Sequence, residues 1–245
     1  MYTLFYEQTA MFCSVSKRRI SSSSSYSCSL MSRTSFESSK SRRTYASTPD
    51  HRPLARRKRI IVAMTGATGA ILGIKVLEAL RRMNVETHLI VSKWADATIK
   101  YETDYAPATV RELADFAYTA NNLAAPVSSG SFHTDGMIVV PCSIKSLAGI
   151  RTGYCSDLIA RAADVILKER RKLVMVVRET PLSDIHLENM LSLTRSGAIM
   201  FPPVPAFYTR PDSVDGIIQQ SVSRMLDMFD LDTGDFERWE GMKQK

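Results

Sequence analysis

In this chain of 245 residues, small, hydroxyl-bearing and basic residues follow directly on short apolar runs. Gly66-Ala67-Thr68-Gly69 offers backbone N–H groups where a helix is expected to begin, and free donors plus the helix dipole favour a phosphate there. The same residues also suit a purely structural turn. Ser92-Lys93 stands after a second run, Ser143-Ile144-Lys145-Ser146 follows a third and opens a helix, and Arg178 ends a fourth. Together they could hold a phosphate and the polar edges of a flat ring system, although Ser143 could simply cap its helix and Lys145 could be solvated. Arg178 is the hardest to explain otherwise, because an Arg directly after a buried strand needs an anion or acceptor in the cleft.

Arg161 and Lys168 stand two helical turns apart on one face, so both charges can point at one anion. The alternative is a solvated stripe running on through Lys168-Glu169-Arg170-Arg171-Lys172. Tyr208 follows a rigid Pro-rich turn, and Arg224 lies in the final helical segment. Glu102 with Asp104, and Glu179 beside Arg178, are the carboxylates best placed for proton handling, or are solvated ends of elements. Histidines 51, 88, 133 and 186 have neither metal spacing nor a nucleophile pattern. Cys13, Cys28, Cys142 and Cys155 contain no C-x-x-C pair, so no metal site is expected, and Cys142 and Cys155 read as buried small apolar residues.

The elements that must position these groups follow from the apolar pattern. Runs at 60–64, 87–91, 137–140, 173–177 and 198–201 are short and continuously apolar, and amphipathic segments at 71–83 and 95–101 separate the first of them. Strands buried on both faces between helices predict a doubly wound, Rossmann-like or flavodoxin-like α/β fold with a parallel sheet, in one domain. Ligands of such sheets sit beyond the carboxyl ends of the strands, where the strand order reverses. The first loop is G-x-x-G, and Ser92-Lys93 replaces the acid that would hold a dinucleotide's ribose, which favours a mononucleotide.

Composition changes abruptly near Arg59. Up to that residue there are 12 Lys or Arg against Glu7, Glu37 and Asp50, and beyond it 20 basic against 22 acidic residues, so the leader carries the whole net charge of +7. The folded part therefore lacks the basic stripe that nucleic-acid binding needs. Residues 1–58, rich in Arg and Ser, fit a mitochondrial transit peptide or a plain disordered tail, with the folded domain at 59–245. No segment approaches the roughly 20 apolar residues of a membrane span, so a soluble matrix protein is expected.

Thr65-Gly66-Ala67-Thr68-Gly69-Ala70, Tyr101-Glu102-Thr103-Asp104, Ser128-Ser129-Gly130-Ser131-Phe132, Pro141-Cys142-Ser143-Ile144-Lys145, Arg161-Ala162-Ala163-Asp164, Lys168-Glu169-Arg170-Arg171, Arg178-Glu179-Thr180-Pro181 and Pro203-Val204-Pro205-Ala206-Phe207-Tyr208 form an ordered set. In that order they resemble the UbiX flavin prenyltransferases, most nearly the fungal mitochondrial members long called phenylacrylic acid decarboxylases, down to Arg238-Trp239-Glu240-Gly241. The resemblance covers essentially everything after Arg59.

It implies FMN, reduced and used as co-substrate, held by Gly66, Ala67, Thr68, Ser92, Ser143, Ile144, Lys145, Ser146 and Arg178. It implies dimethylallyl phosphate or diphosphate bound by Arg161, Lys168, Tyr208 and Arg224, partly across subunit boundaries in a dodecamer. Glu102, Glu179, Lys168, Tyr208 and Trp239 match the family's catalytic positions, no metal takes part, and the prenylated flavin would serve a UbiD-type decarboxylase of aromatic or cinnamic acids. Thr68 stands where bacterial members generally carry Ser, which keeps the hydroxyl and leaves the donor, mono- or diphosphate, open. Competing expectations are an FMN-dependent cysteine decarboxylase, for which no catalytic His is seen, a decarboxylase acting directly on phenylacrylic acids, and a regulatory flavoprotein.

Overall fold

The computed structural model describes residues 56–236 and 238–241. The expected leader, with Cys13, Cys28 and His51, lies outside the described residues except for Arg56, Arg57 and Lys58. Six parallel strands, β1 (Arg59–Met64), β2 (Glu86–Val91), β3 (Phe116–Thr119), β4 (Gly136–Cys142), β5 (Lys172–Val177) and β6 (Ile199–Met200), lie in the order β3-β2-β1-β4-β5-β6. The order reverses between β1 and β4, as the doubly wound expectation requires.

Seven helices join and cover these strands: α1 (Ala70–Arg82), α2 (Lys93–Glu102), α3 (Pro107–Glu112), α4 (Ile144–Thr152), α5 (Leu158–Lys168), α6 (Asp184–Arg195) and α7 (Val214–Asp227). Alternate residues of β1 face opposite layers, which is why the strand is apolar throughout. Ile60, Val62 and Met64 pack with Leu72, Val76 and Leu80 of α1 and Met225 of α7. Ile61 and Ala63 pack with Leu147 of α4 and Ile159 and Ala163 of α5.

Helix α1 lies hard against the sheet. A Cβ added at Gly73 would stand 2.6 Å from the Val140 carbonyl oxygen and 2.8 Å from Met64 Cε, so only a residue without a side chain permits this approach. Among the elements that went unread in the sequence are β3, α3 and α6. β3 is a sheet edge whose residues are mostly exposed, so it lacks the apolar run of a buried strand. Only Asn189 and Leu193 of α6 are buried, which leaves little periodic signal.

Charges staple the amino end of the sheet. Arg56 pairs with Asp135 at 2.8 Å, Arg57 with Asp115 at 3.3 Å and Arg59 with Glu86 at 2.6 Å, while Lys58 Nζ donates to the Phe229 carbonyl at 2.6 Å. Buried His88 sits in the same network, with Nε2 2.9 Å from Glu86 Oε1 and Nδ1 3.0 Å from the Tyr118 hydroxyl, its ring stacked on Phe116 at 4.8 Å. Burial lowers the His88 pKa from its ordinary 6.5, against the opposing pull of Glu86.

An unfolded chain therefore takes up the His88 proton first as pH falls, so His88 makes folding less favourable from about pH 7 downwards. Glu86, Asp115 and Asp135 are held below the ordinary carboxylate range, Glu86 by the Arg59 guanidinium, Asp115 by Thr87 and Arg57, and Asp135 by Arg56, each against the opposing effect of burial. Their contribution is present above the ordinary carboxylate pKa and is lost at lower pH than that of His88. Urea unfolding across this range is expected to show two declines, and His88→Gln should flatten the higher one while leaving the lower.

Candidate functional site

At the reversal point the buried hydroxyl of Thr65 ties the two strand ends together. Thr65 Oγ1 donates to the Pro141 carbonyl at 2.8 Å and accepts from the Ser143 backbone N–H at 2.8 Å. Beyond this tie opens a cavity of ≈ 500 Å³, within the range of small-molecule sites. Thr65, Gly66, Ser92, Trp94, Ser143, Lys145, Ser146, Gly149, Tyr154 and Ala160 are among its lining residues. A Cβ on Gly66 would fall 2.4 Å from Trp94 Cβ, so this glycine sets how closely the first loop meets α2.

Three helices begin here and their N-termini differ. The first N–H groups of α1 are already held, because Glu102 Oε2 accepts from Gly69 at 2.8 Å and Ala70 at 3.1 Å. Gly69 itself is left-handed at φ 94°, which lets the loop turn into the helix. By contrast α2 and α4 are capped by Ser92, accepting from Ala95 N–H at 3.1 Å, and by Ser143, accepting from Ser146 N–H at 3.4 Å. The remaining first-turn donors of these two helices lie at the cavity wall with Lys145, an arrangement suited to an anion.

The other wall is apolar. Ala148, Gly149 and Thr152 continue from Lys145 along one face of α4, Ile159 and Ala160 come from the start of α5, and exposed Trp94 and Tyr154 flank the opening. Asp157 also lines it, with Oδ1 accepting from Ala160 N–H at 2.9 Å as the cap of α5. The arrangement can seat a flat aromatic ring with a phosphate tail.

Of the residues expected from sequence, Gly66, Ser92, Ser143, Lys145 and Ser146 share this cavity. Ala67 is buried with its N–H on the Thr65 carbonyl, Ile144 is partly buried against the core, and Thr68 is exposed on the loop. Arg178 stands at the carboxyl end of β5, its N–H on the Cys142 carbonyl at 3.1 Å; its side chain is exposed and has no ion pair among the described residues. Glu179 follows it, exposed, with Oε1 accepting from Thr180 N–H at 3.1 Å.

Arg161 and Lys168 lie apart from the cavity, against one loop. Arg161 Nε donates to the Ser128 carbonyl at 3.1 Å and Nη1 to Asp164 at 2.9 Å, while Lys168 pairs with Glu169 over Gly130, where an added Cβ would stand 2.8 Å from Lys168 Nζ. Tyr208 and Trp239 form a third group, ring centroids 5.7 Å apart and edge to face, with Gln220 Nε2 donating to the Tyr208 hydroxyl at 3.3 Å. Arg224 stands one turn after Gln220 on α7 and donates to Asp227 at 2.6 Å.

Sequence reasoning missed Thr65, Trp94, Tyr154 and the Asp164 and Asp227 partners. Thr65 and Trp94 had a signal, since each sits within three residues of a strand end; Tyr154 had none. Cys142 is buried, and burial pushes its thiol up to about 12. Cys155 departs from expectation: it is only partly buried, beside Asp164 and Arg161. Among the described residues no group of three His, Cys, Asp or Glu could hold a metal, and no helix is long and apolar enough to cross a membrane.

Residues 49–229 match the flavoprotein family profile. The mitochondrial flavin prenyltransferase of Saccharomyces cerevisiae is 60% identical over 202 residues, 82% of each chain. A solved UbiX structure in complex with FMN and dimethylallyl pyrophosphate is 71% identical, with a TM-score of 0.76 over 77% of this chain and 100% of that one. A dodecameric FMN-dependent UbiX-like decarboxylase from Escherichia coli O157:H7 is 59% identical, with a TM-score of 0.74 over 75% of this chain and 100% of the other.

The cap on α1 supplies a test. Charge-assisted bonds to helix-end N–H groups should make Glu102→Ala less stable by about 0.5–2 kcal/mol. The check is the urea midpoint at unchanged slope, with faster exchange of the Gly69 and Ala70 amides.

Proposed function

The chain belongs to the UbiX family of flavin prenyltransferases, and from that membership we propose how its own residues divide the work of joining a dimethylallyl group to reduced FMN. The observation that carries the proposal is the single cavity at the reversal point shared by Gly66, Ser92, Ser143, Lys145 and Ser146. Helix starts α2 and α4 with Lys145 hold the flavin phosphate, Trp94 and Tyr154 cover the ring, and Thr68 and Arg178 stand at its edge. Reduced FMN, once bound, supplies N5 as nucleophile and C6 for ring closure.

The allyl donor, dimethylallyl phosphate or diphosphate, asks for two opposite environments. Arg161, Lys168, Arg224 and the Tyr208 hydroxyl hold the departing phosphate through charge-assisted hydrogen bonds of roughly 1.5–3 kcal/mol each. The faces of Tyr208 and Trp239 stabilise the allyl cation, worth about 2 kcal/mol or more once desolvated. Glu179 or the released phosphate accepts the final proton, and Glu102 holds the Gly69 turn in place.

Arg161 and Lys168 are turned away from their own cavity, which supports their acting in a neighbouring subunit's site in an assembly like the dodecamer of the E. coli relative. Exposed Trp94, Tyr154, Val204 and Phe207 give that assembly apolar surface to cover. The leader composition and the mitochondrial S. cerevisiae relative support import into the mitochondrial matrix. Arg56, Arg57 and Lys58 are tied to the domain, so processing would fall before Arg56. The product would serve a UbiD-type decarboxylase. Nothing in the site favours cysteine decarboxylation or direct cinnamate decarboxylation.

Anaerobic incubation with reduced FMN and dimethylallyl phosphate is expected to return flavin heavier by one five-carbon unit in its mass spectrum. Unmodified FMN with both the mono- and the diphosphate, from folded and flavin-bound protein, would overturn the assignment. Lys168→Ala should slow prenylation by about 10- to 100-fold with FMN binding intact. Gly66→Ala should instead weaken FMN binding by about tenfold or more in a fluorescence titration, because Trp94 must move.

A further inference from the structure

The chain beyond α7 is fastened to that helix and to the end of α1. Thr233 Oγ1 donates to Ser223 Oγ at 2.7 Å, and Arg82 pairs with Asp235 at 2.6 Å. The last of the polar fastenings is Asp227, at the end of α7. Its Oδ2 accepts from Arg224 Nη1 at 2.6 Å and from Arg238 Nη1 at 3.0 Å, and its Oδ1 accepts from Arg238 Nη2 at 2.8 Å. Asp232 takes a further contact from Arg238 Nη2 at 3.0 Å. The Asp227 side chain is only 12% exposed, whereas Arg224 and Arg238 are 42% and 46% exposed.

One carboxylate thus joins two guanidinium groups that belong to different parts of the site. Arg238 is followed directly by Trp239, whose ring meets Tyr208, and Tyr208 is held in turn by Gln220, one helical turn before Arg224. The Arg238 guanidinium, and then that of Arg224, hold Asp227 below the ordinary carboxylate range against the effect of burial, so it is ionised at neutral pH.

We propose that Asp227 is a positioning residue for prenyl transfer: it fixes the Arg224 side chain and, through Arg238, latches the terminal segment so that Trp239 stays against Tyr208. The proposal rests on the assignment of Arg224, Tyr208 and Trp239 to the allyl donor. An arginine has five N–H donors, so the bond to Asp227 leaves others for a phosphate while removing the rotamer freedom that binding would otherwise have to freeze. Loss of the carboxylate releases both arginines at once.

The kinetic test uses the flavin-bound full chain. Asp227→Ala should raise KM for dimethylallyl phosphate by about tenfold or more and lower kcat at saturation by about threefold or more, because Trp239 is no longer held to the cation, with the FMN dissociation constant changed by less than about threefold. Arg238→Ala breaks the same latch from its exposed side and should reproduce the KM effect, which decides the matter should Asp227→Ala fail to fold. In a Trp94→Phe background, where Trp239 is the one indole, either change should increase acrylamide quenching of the flavin-free protein. A KM within about twofold of the parent in Arg238→Ala, or in folded Asp227→Ala, overturns the proposal. Arg224→Ala separates the two levels: if it too leaves KM unmoved, the assignment of Arg224 has failed and the positioning role falls with it.

Discussion

Thr65 is the point on which the rest of the site turns. A parallel sheet whose order reverses leaves a crevice beyond the carboxyl ends of its two central strands, where the loops that follow them part, and the ladder between the strands does not set how wide it stands. Here a buried hydroxyl sets it, as donor to the end of β4 and acceptor for the residue that caps α4. Because both of its roles are filled, the hydroxyl has no buried alternative, and parting the strands would strand a donor and an acceptor together. The start of α4 is thereby placed beside the start of α2, and the phosphate-sized space between them follows.

Polar contacts are divided unequally between the two ends of the sheet. At the amino end the cations of Arg56, Arg57 and Arg59 meet carboxylates of the domain, and His88 is enclosed among aromatic rings. At the carboxyl end Arg178 has no ion pair among the described residues, and Trp94, Tyr154 and Phe207 are exposed. One end is closed upon itself, and the other holds surfaces that want a ligand or a second copy of the chain. Arg161 and Lys168 lie against the Ser128–Gly130 turn and not in their own cavity.

Much of this was legible in the sequence, for a physical reason. Strands such as Ile60–Met64 are buried on both faces and must be apolar without interruption, so β1, β2, β4 and β5 declare themselves. The residues after them are read by position alone, because ligand sites of this architecture lie at strand ends. Exposed β3 makes no such demand on its sequence, and α6 buries too little to print a period. Tyr154 was illegible because its place depends on how the α4–α5 connection folds over the cavity. Pairings such as Arg224 with Asp227 are legible only as one of several helical spacings, and Glu102 reads as a free acid until α1 is seen to begin beneath it.

The bare surface of Gly73 has a mechanical consequence. With no side chain between the α1 backbone and Val140, the helix rests on the sheet as a beam on a hard bearing, without the compressible layer that usually separates the two. Displacement of β4 is transmitted to α1 undamped, and so to the turn that Glu102 holds at its head. The compliance that substrate entry and product exit demand must then reside outside this bearing.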